Sequence, residues 1–77
     1  MNKARRKELE CVMAVLEEQV SQLELIMDEE QMCFDNLTEG LQATERGQTM
    51  EENVNDLDTI IGDLQSVIDS IQDIIYR

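Results

Sequence analysis

The sequence predicts an all-α fold, an antiparallel helical hairpin in which two long helices are joined by a short helical turn. Three observations carry that expectation. From Met50 to Ile75 an apolar residue recurs at alternating steps of four and three (Met50, Val54, Leu57, Ile61, Leu64, Ile68, Ile71, Ile75), which lays one unbroken seam along a helix. Leu9, Met13, Leu16, Val20, Leu23, Met27 and Phe34 repeat the pattern in the first half. Pro is absent from the 77 residues, and the only strong break, carrying Gly40 and Gly47, lies between the two seams.

The first helix is placed at about residues 3 to 33. Glu30 occupies its seam between Met27 and Phe34. A carboxylate there must find a partner or lie in a frayed, solvated helix end, and the frayed end is the expectation. Residues 34 to 43 are assigned to the turn. Asn36 followed by Glu39 reads as a capping box for a single helical turn, with Leu37 and Leu41 spaced to close the end of the core. The second helix is placed at 45 to 76, with Thr44 as N-cap and Gly47 inside the first turn; Thr49 with Glu52 is the alternative start. The seam register continues backwards through Gly47 to Ala43, small residues that allow a close approach. Glu45, Glu51 and Glu52 near its start and Arg77 at its end suit the helix dipole. The whole chain, 1 to 77, is read as one hairpin domain.

A second set of apolar residues, Ile60, Val67 and Ile74, runs at intervals of seven along the flank of the second seam, and Val12, Ile26 and Cys33 form a weaker flank on the first helix. One hairpin covers one seam and leaves such flanks open, so the chain is expected to pair into a four-helix bundle, as a homodimer, or to dock on another protein. The candidate partner-binding residues are Ile60, Val67 and Ile74, with the acids Asp56 and Asp63 on the same helix and Glu24, Asp28 and Glu29 on the first. Cys11, Leu25 and Met32 fall on one further column of helix 1.

Charge narrows the function classes. There are 18 acids and 6 bases, a formal net charge of −12, and from Glu8 onward only Arg46 and Arg77 are basic. Direct nucleic-acid binding needs a basic surface to neutralise phosphates, so none is expected; the run Lys3 to Lys7 reads as a solubilising helix start pairing with Glu8 and Glu10. No stretch reaches the roughly 18 consecutive apolar residues of a membrane span, and no signal-peptide core is present. A cytoplasmic protein with no membrane contact is the expectation. Cys11 and Cys33, about 33 Å apart along one helix, are expected as reduced, partly buried thiols.

No catalytic residue, cofactor or metal ligand is expected. His is absent, the two Cys do not form a zinc pair, and Asp56-Leu57-Asp58 opens like a calcium loop but continues with Ile60 and Ile61 at a ligand and a turn position. Glu24, Asp28 and Glu29 have the spacing of a magnesium-dependent nucleotide pyrophosphohydrolase, yet all three lie off the seam, where such an enzyme needs them inside the bundle.

The turn Phe34-Asp35-Asn36-Leu37-Thr38-Glu39-Gly40-Leu41, then Glu45-Arg46-Gly47 and Met50-Glu51-Glu52, together with the start Lys3 to Leu9, resemble a group of small acidic helical proteins of phages and prophages of Gram-positive bacteria. Members often carry Pro where this chain has Thr38, which leaves this turn less rigid. The resemblance implies a phage context and brings no catalytic residues. The function expected is a non-enzymatic protein-binding module that blocks or modulates a host protein. An anti-defence inhibitor that mimics DNA with its acidic surface is one form of it, with basic grooves of nucleases, CRISPR effectors, polymerases or repressors as targets. The alternative is a self-assembling structural or adaptor bundle with no inhibitory role.

Overall fold

The computed structural model describes all 77 residues as three helices: α1 (Lys3–Asp35), α2 (Glu39–Gln42) and α3 (Glu45–Ile75). The two long helices pack along their length as an antiparallel hairpin, giving a rod of 58 × 14 × 12 Å. Its radius of gyration is 17.5 Å, against about 11 Å for a compact chain of this length. The shape follows from the sequence: each helix has one apolar seam, and two seams facing one another form a single row of side chains instead of a rounded core.

With seam positions lettered as in a coiled coil, α1 places Arg6, Met13, Val20, Met27 and Phe34 at a and Leu9, Leu16, Leu23 and Glu30 at d, with Leu37 continuing the series. In α3, Gly47, Val54, Ile61, Ile68 and Ile75 are a and Met50, Leu57, Leu64 and Ile71 are d. Each of these residues is buried or half-buried, and outside the two seams only Gln42 and Ile74 are buried to the same degree. The centre of the core is Val20, Ile61 and Ile68, packed round by Met13, Leu16, Leu23, Met27 and Leu64.

The helix ends follow capping chemistry. The Asn2 side chain accepts from the Arg5 N–H at 2.8 Å and starts α1. Thr44 starts α3: its hydroxyl accepts from the Gly47 N–H at 3.5 Å and donates to the Leu41 carbonyl. Thr49 therefore lies inside the helix. Buried Gly47 has a specific reason to be glycine, because a Cβ there would stand 2.7 Å from the Gln42 carbonyl carbon and Cα and collide with the carbonyl oxygen. The close approach that the small residues foretold is that of the last turn of α2. It uses Gly47 alone; Ala43, the other small residue, is the exposed C-cap of α2.

Four expectations are corrected. Helix α1 does not fray at Glu30; it continues to Asp35, and the half-buried Glu30 carboxylate accepts from Asn53 Nδ2 of α3 at 2.9 Å. Asn36 does not cap the short helix. It is the C-cap of α1, its N–H donating to the Met32 and Phe34 carbonyls, while Thr38 caps α2 by accepting from Leu41 N–H at 3.3 Å. Leu41 does not close the core: Leu37 is half-buried, but Leu41 is 51% exposed, and the side chain that turns inward is Gln42, whose Nε2 donates to the Phe34 carbonyl at 3.1 Å. Both thiols are free and exposed instead of partly buried, since Cys11 and Cys33 stand off the seam.

Candidate protein interface

Beside each seam run two flanking columns, e and g. Had the helices run parallel, facing seams would set g beside e. The reversal of direction in a hairpin exchanges the sides, and g lies beside g. Two local observations agree with this geometry. Glu17 and Gln65, both at e, line one shallow groove with Val20, Ile68 and Asp69. On the other side Asn53, at g of α3, hydrogen-bonds Glu30, which lines a groove of α1 with Ile26 and Cys33 at g.

The consequence is a molecule with two unlike sides. The g columns hold Arg5, Val12, Gln19, Ile26 and Cys33 on α1 and Arg46, Asn53, Ile60, Val67 and Ile74 on α3, with no acid among them. Here Val12, Ile26, Ile60 and Val67 are about half exposed, at 48, 52, 50 and 49%, and Ile74 is half-buried. The e columns hold Lys3, Glu10, Glu17, Glu24 and Gln31 on α1 and Glu51, Asp58, Gln65 and Gln72 on α3, all exposed. One side is therefore an apolar strip with a base near each end, and the other is anionic.

This division sorts the residues singled out by their sequence pattern. Ile60, Val67 and Ile74 lie together on the apolar side. Asp56 and Asp63 sit one helical turn before Ile60 and Val67 and border that side, as does Glu29, in the groove with Ile26 and Cys33. Glu24 and Asp28 do not join them: Glu24 stands at e on the anionic side, and Asp28 in the next column outward. No three Asp, Glu or Cys side chains converge closely enough to hold a metal ion between them.

Three residues with a role at the helix contact were not singled out. Asn53 partners Glu30 and Gln42 closes the turn. Arg6 takes the seam position beyond Leu9, where it is half-buried with its Nε shielded from solvent and without a hydrogen-bond partner. Its place one step before Leu9 in the seam is the sequence signal that sets it apart from the other bases of the Lys3 to Lys7 run. A long aliphatic stem suits the end of an apolar core. Exposed Val15, Leu25 and Met32 lie on outer columns away from both seams.

No protein family, curated protein or solved structure matches the chain. No helix is long and apolar enough to cross a membrane.

Proposed function

We propose that this chain is a non-enzymatic protein-binding module of phage type, acting in the host cytoplasm, that presses its anionic side against a basic host protein and blocks or modulates it. The observation that carries the reading is the clustering of Glu10, Glu17, Glu24, Glu51 and Asp58 on one side of a 58 Å rod, with the bases of that side reduced to Lys3 at its tip. Duplex DNA presents one phosphate per roughly 1.7 Å of axis, so a protein groove shaped for DNA meets a rigid line of negative charge in both cases. Rigidity matters here, because preformed helices present the carboxylates without the ordering cost of a flexible acidic tail. Nucleases, CRISPR effectors, polymerases and repressors have such grooves, and DNA mimicry is the form of inhibition this surface suits. The phage context rests on the resemblance of the turn and flanking segments noted above.

The test is a binding series against a basic nucleic-acid-binding protein recovered from the bacterial host. Affinity is expected to fall steeply as salt rises, to be competed by duplex DNA, and to weaken at least tenfold when Glu17, Glu24 and Asp58 are together changed to Lys. Binding that is indifferent to salt, to DNA and to that triple change would refute the proposal.

A further inference from the structure

We infer that the apolar g side is the docking surface for a second copy of this chain, so that two hairpins lie side by side as a four-helix bundle with their anionic sides outward. The inference stands apart from the identity of any basic partner, since it concerns the opposite side of the rod.

Three features name a second copy as the occupant. The first is area. The chain exposes 5801 Å², whereas a compact monomer of 8.9 kDa exposes about 4,800 Å². The surplus of roughly 1,000 Å² is comparable to the ~800 Å² that each partner contributes to a standard interface. The second is charge. A basic partner has no counter-charge on the g columns, which lack acids and carry Arg5 and Arg46, while two copies of a chain with net charge −12 approach with least repulsion through the side whose central columns hold no acid, Asp56, Asp63 and Glu29 standing only at its border. The third is continuity with the core. Val12, Ile26, Ile60 and Val67 stand directly beside seam residues and are already half covered, so a facing strip of the same kind extends the existing packing and completes the three-wide stripe of a bundle helix. A two-fold contact requires a self-complementary patch, and a strip of Val and Ile with neutral Gln19 and Asn53 meets that condition.

The experiment is analytical ultracentrifugation of the whole chain over a concentration series, with thermal unfolding followed by circular dichroism at the same concentrations. Wild type is expected to sediment at twice the chain mass and to unfold at a temperature that rises with concentration. Ile60→Asp and Val67→Asp place a charge in the strip and are expected to give helical monomers. Leu25→Asp adds the same charge at a 56%-exposed site on an outer column and is expected to leave the dimer intact. The milder Ile60→Ala and Val67→Ala, which keep helix propensity high, are expected to weaken self-association at least tenfold even if the Asp variants unfold. A wild-type monomer with a concentration-independent melting temperature overturns the inference. So does a dimer that both Ala variants leave unchanged, or one that Leu25→Asp dissociates as fully as Ile60→Asp.

Discussion

Replacing glycine by alanine at positions 47 and 62 should change stability in opposite directions. Both glycines lie inside α3, where alanine is favoured by about 1 kcal/mol because it restricts the unfolded chain and forms helix more readily. At Gly62 nothing lies within 4 Å of the added Cβ, so the gain is expected in full. At Gly47 the Cβ meets the backbone of Gln42, with the carbonyl carbon and Cα both at 2.7 Å. Ordinary carbon contacts lie near 3.5 to 4.0 Å, so the last turn of α2 must retreat by roughly 1 Å. That retreat loosens the Gln42 side-chain bond to the Phe34 carbonyl, 3.1 Å long. Overpacking of this kind costs about 1 to 3 kcal/mol, and backbone yields less readily than a side-chain tip. The upper part of that range outweighs the helix-propensity gain and leaves Gly47→Ala about 1 to 2 kcal/mol less stable than wild type. For a domain of this size the expected melting shifts are about +5 °C for Gly62→Ala and about −5 to −10 °C for Gly47→Ala. Circular-dichroism melts at one fixed protein concentration read both. A Gly47→Ala variant as stable as Gly62→Ala would refute the packing of α2 on α3.

Further outcomes follow from the same contacts. Thr44→Ala removes the hydroxyl that caps α3 and should cost about 1 kcal/mol in urea unfolding, whereas Thr49→Ala, inside the helix, should cost less. Glu30→Leu fills the one acidic gap in the α1 seam and should stabilise the fold by about 1 kcal/mol, read as a higher urea midpoint with unchanged slope; a lower midpoint would show that the Asn53 bond outweighs the burial gained. Ile61→Ala, at the centre of the core, should cost about 2 to 5 kcal/mol, and Leu25→Ala close to nothing. Thiol labelling should be fast at Cys11 at any protein concentration but slow at Cys33 as concentration rises, because only Cys33 lies on the side assigned to a second copy.

Much of the fold was legible because periodicity reports on whole helices. The two seams, Leu9 to Phe34 and Met50 to Ile75, reappear as the contact between α1 and α3, and Thr44 was recognisable as a cap three residues before Gly47. The turn was less legible. Asn36 and Thr38 are both competent caps, and which one starts α2 depends on where α1 stops, which is set by packing beyond the local sequence. The pairing of Glu30 is not legible locally because its partner, Asn53, is 23 residues away and becomes adjacent only after the chain reverses. The flanks show the same limit. Ile60, Val67 and Ile74 could be seen as one strip and Val12, Ile26 and Cys33 as another, but that they share a side, opposite Glu17 and Glu24, is a property of the antiparallel hairpin. Glu24 and Asp28, candidate partner-binding acids of the first helix, stand apart from the apolar flank in that geometry.

Small-angle scattering of the wild-type chain, with absolute mass from the forward intensity, tests most directly that one side of this rod is built to be covered. Two hairpins lying side by side at a helix-packing distance of about 10 Å should double the mass while raising the radius of gyration only from 17.5 Å to about 18 Å. A single-chain mass, or a doubled mass with a radius near 34 Å as for two 58 Å rods joined end to end, would contradict the account.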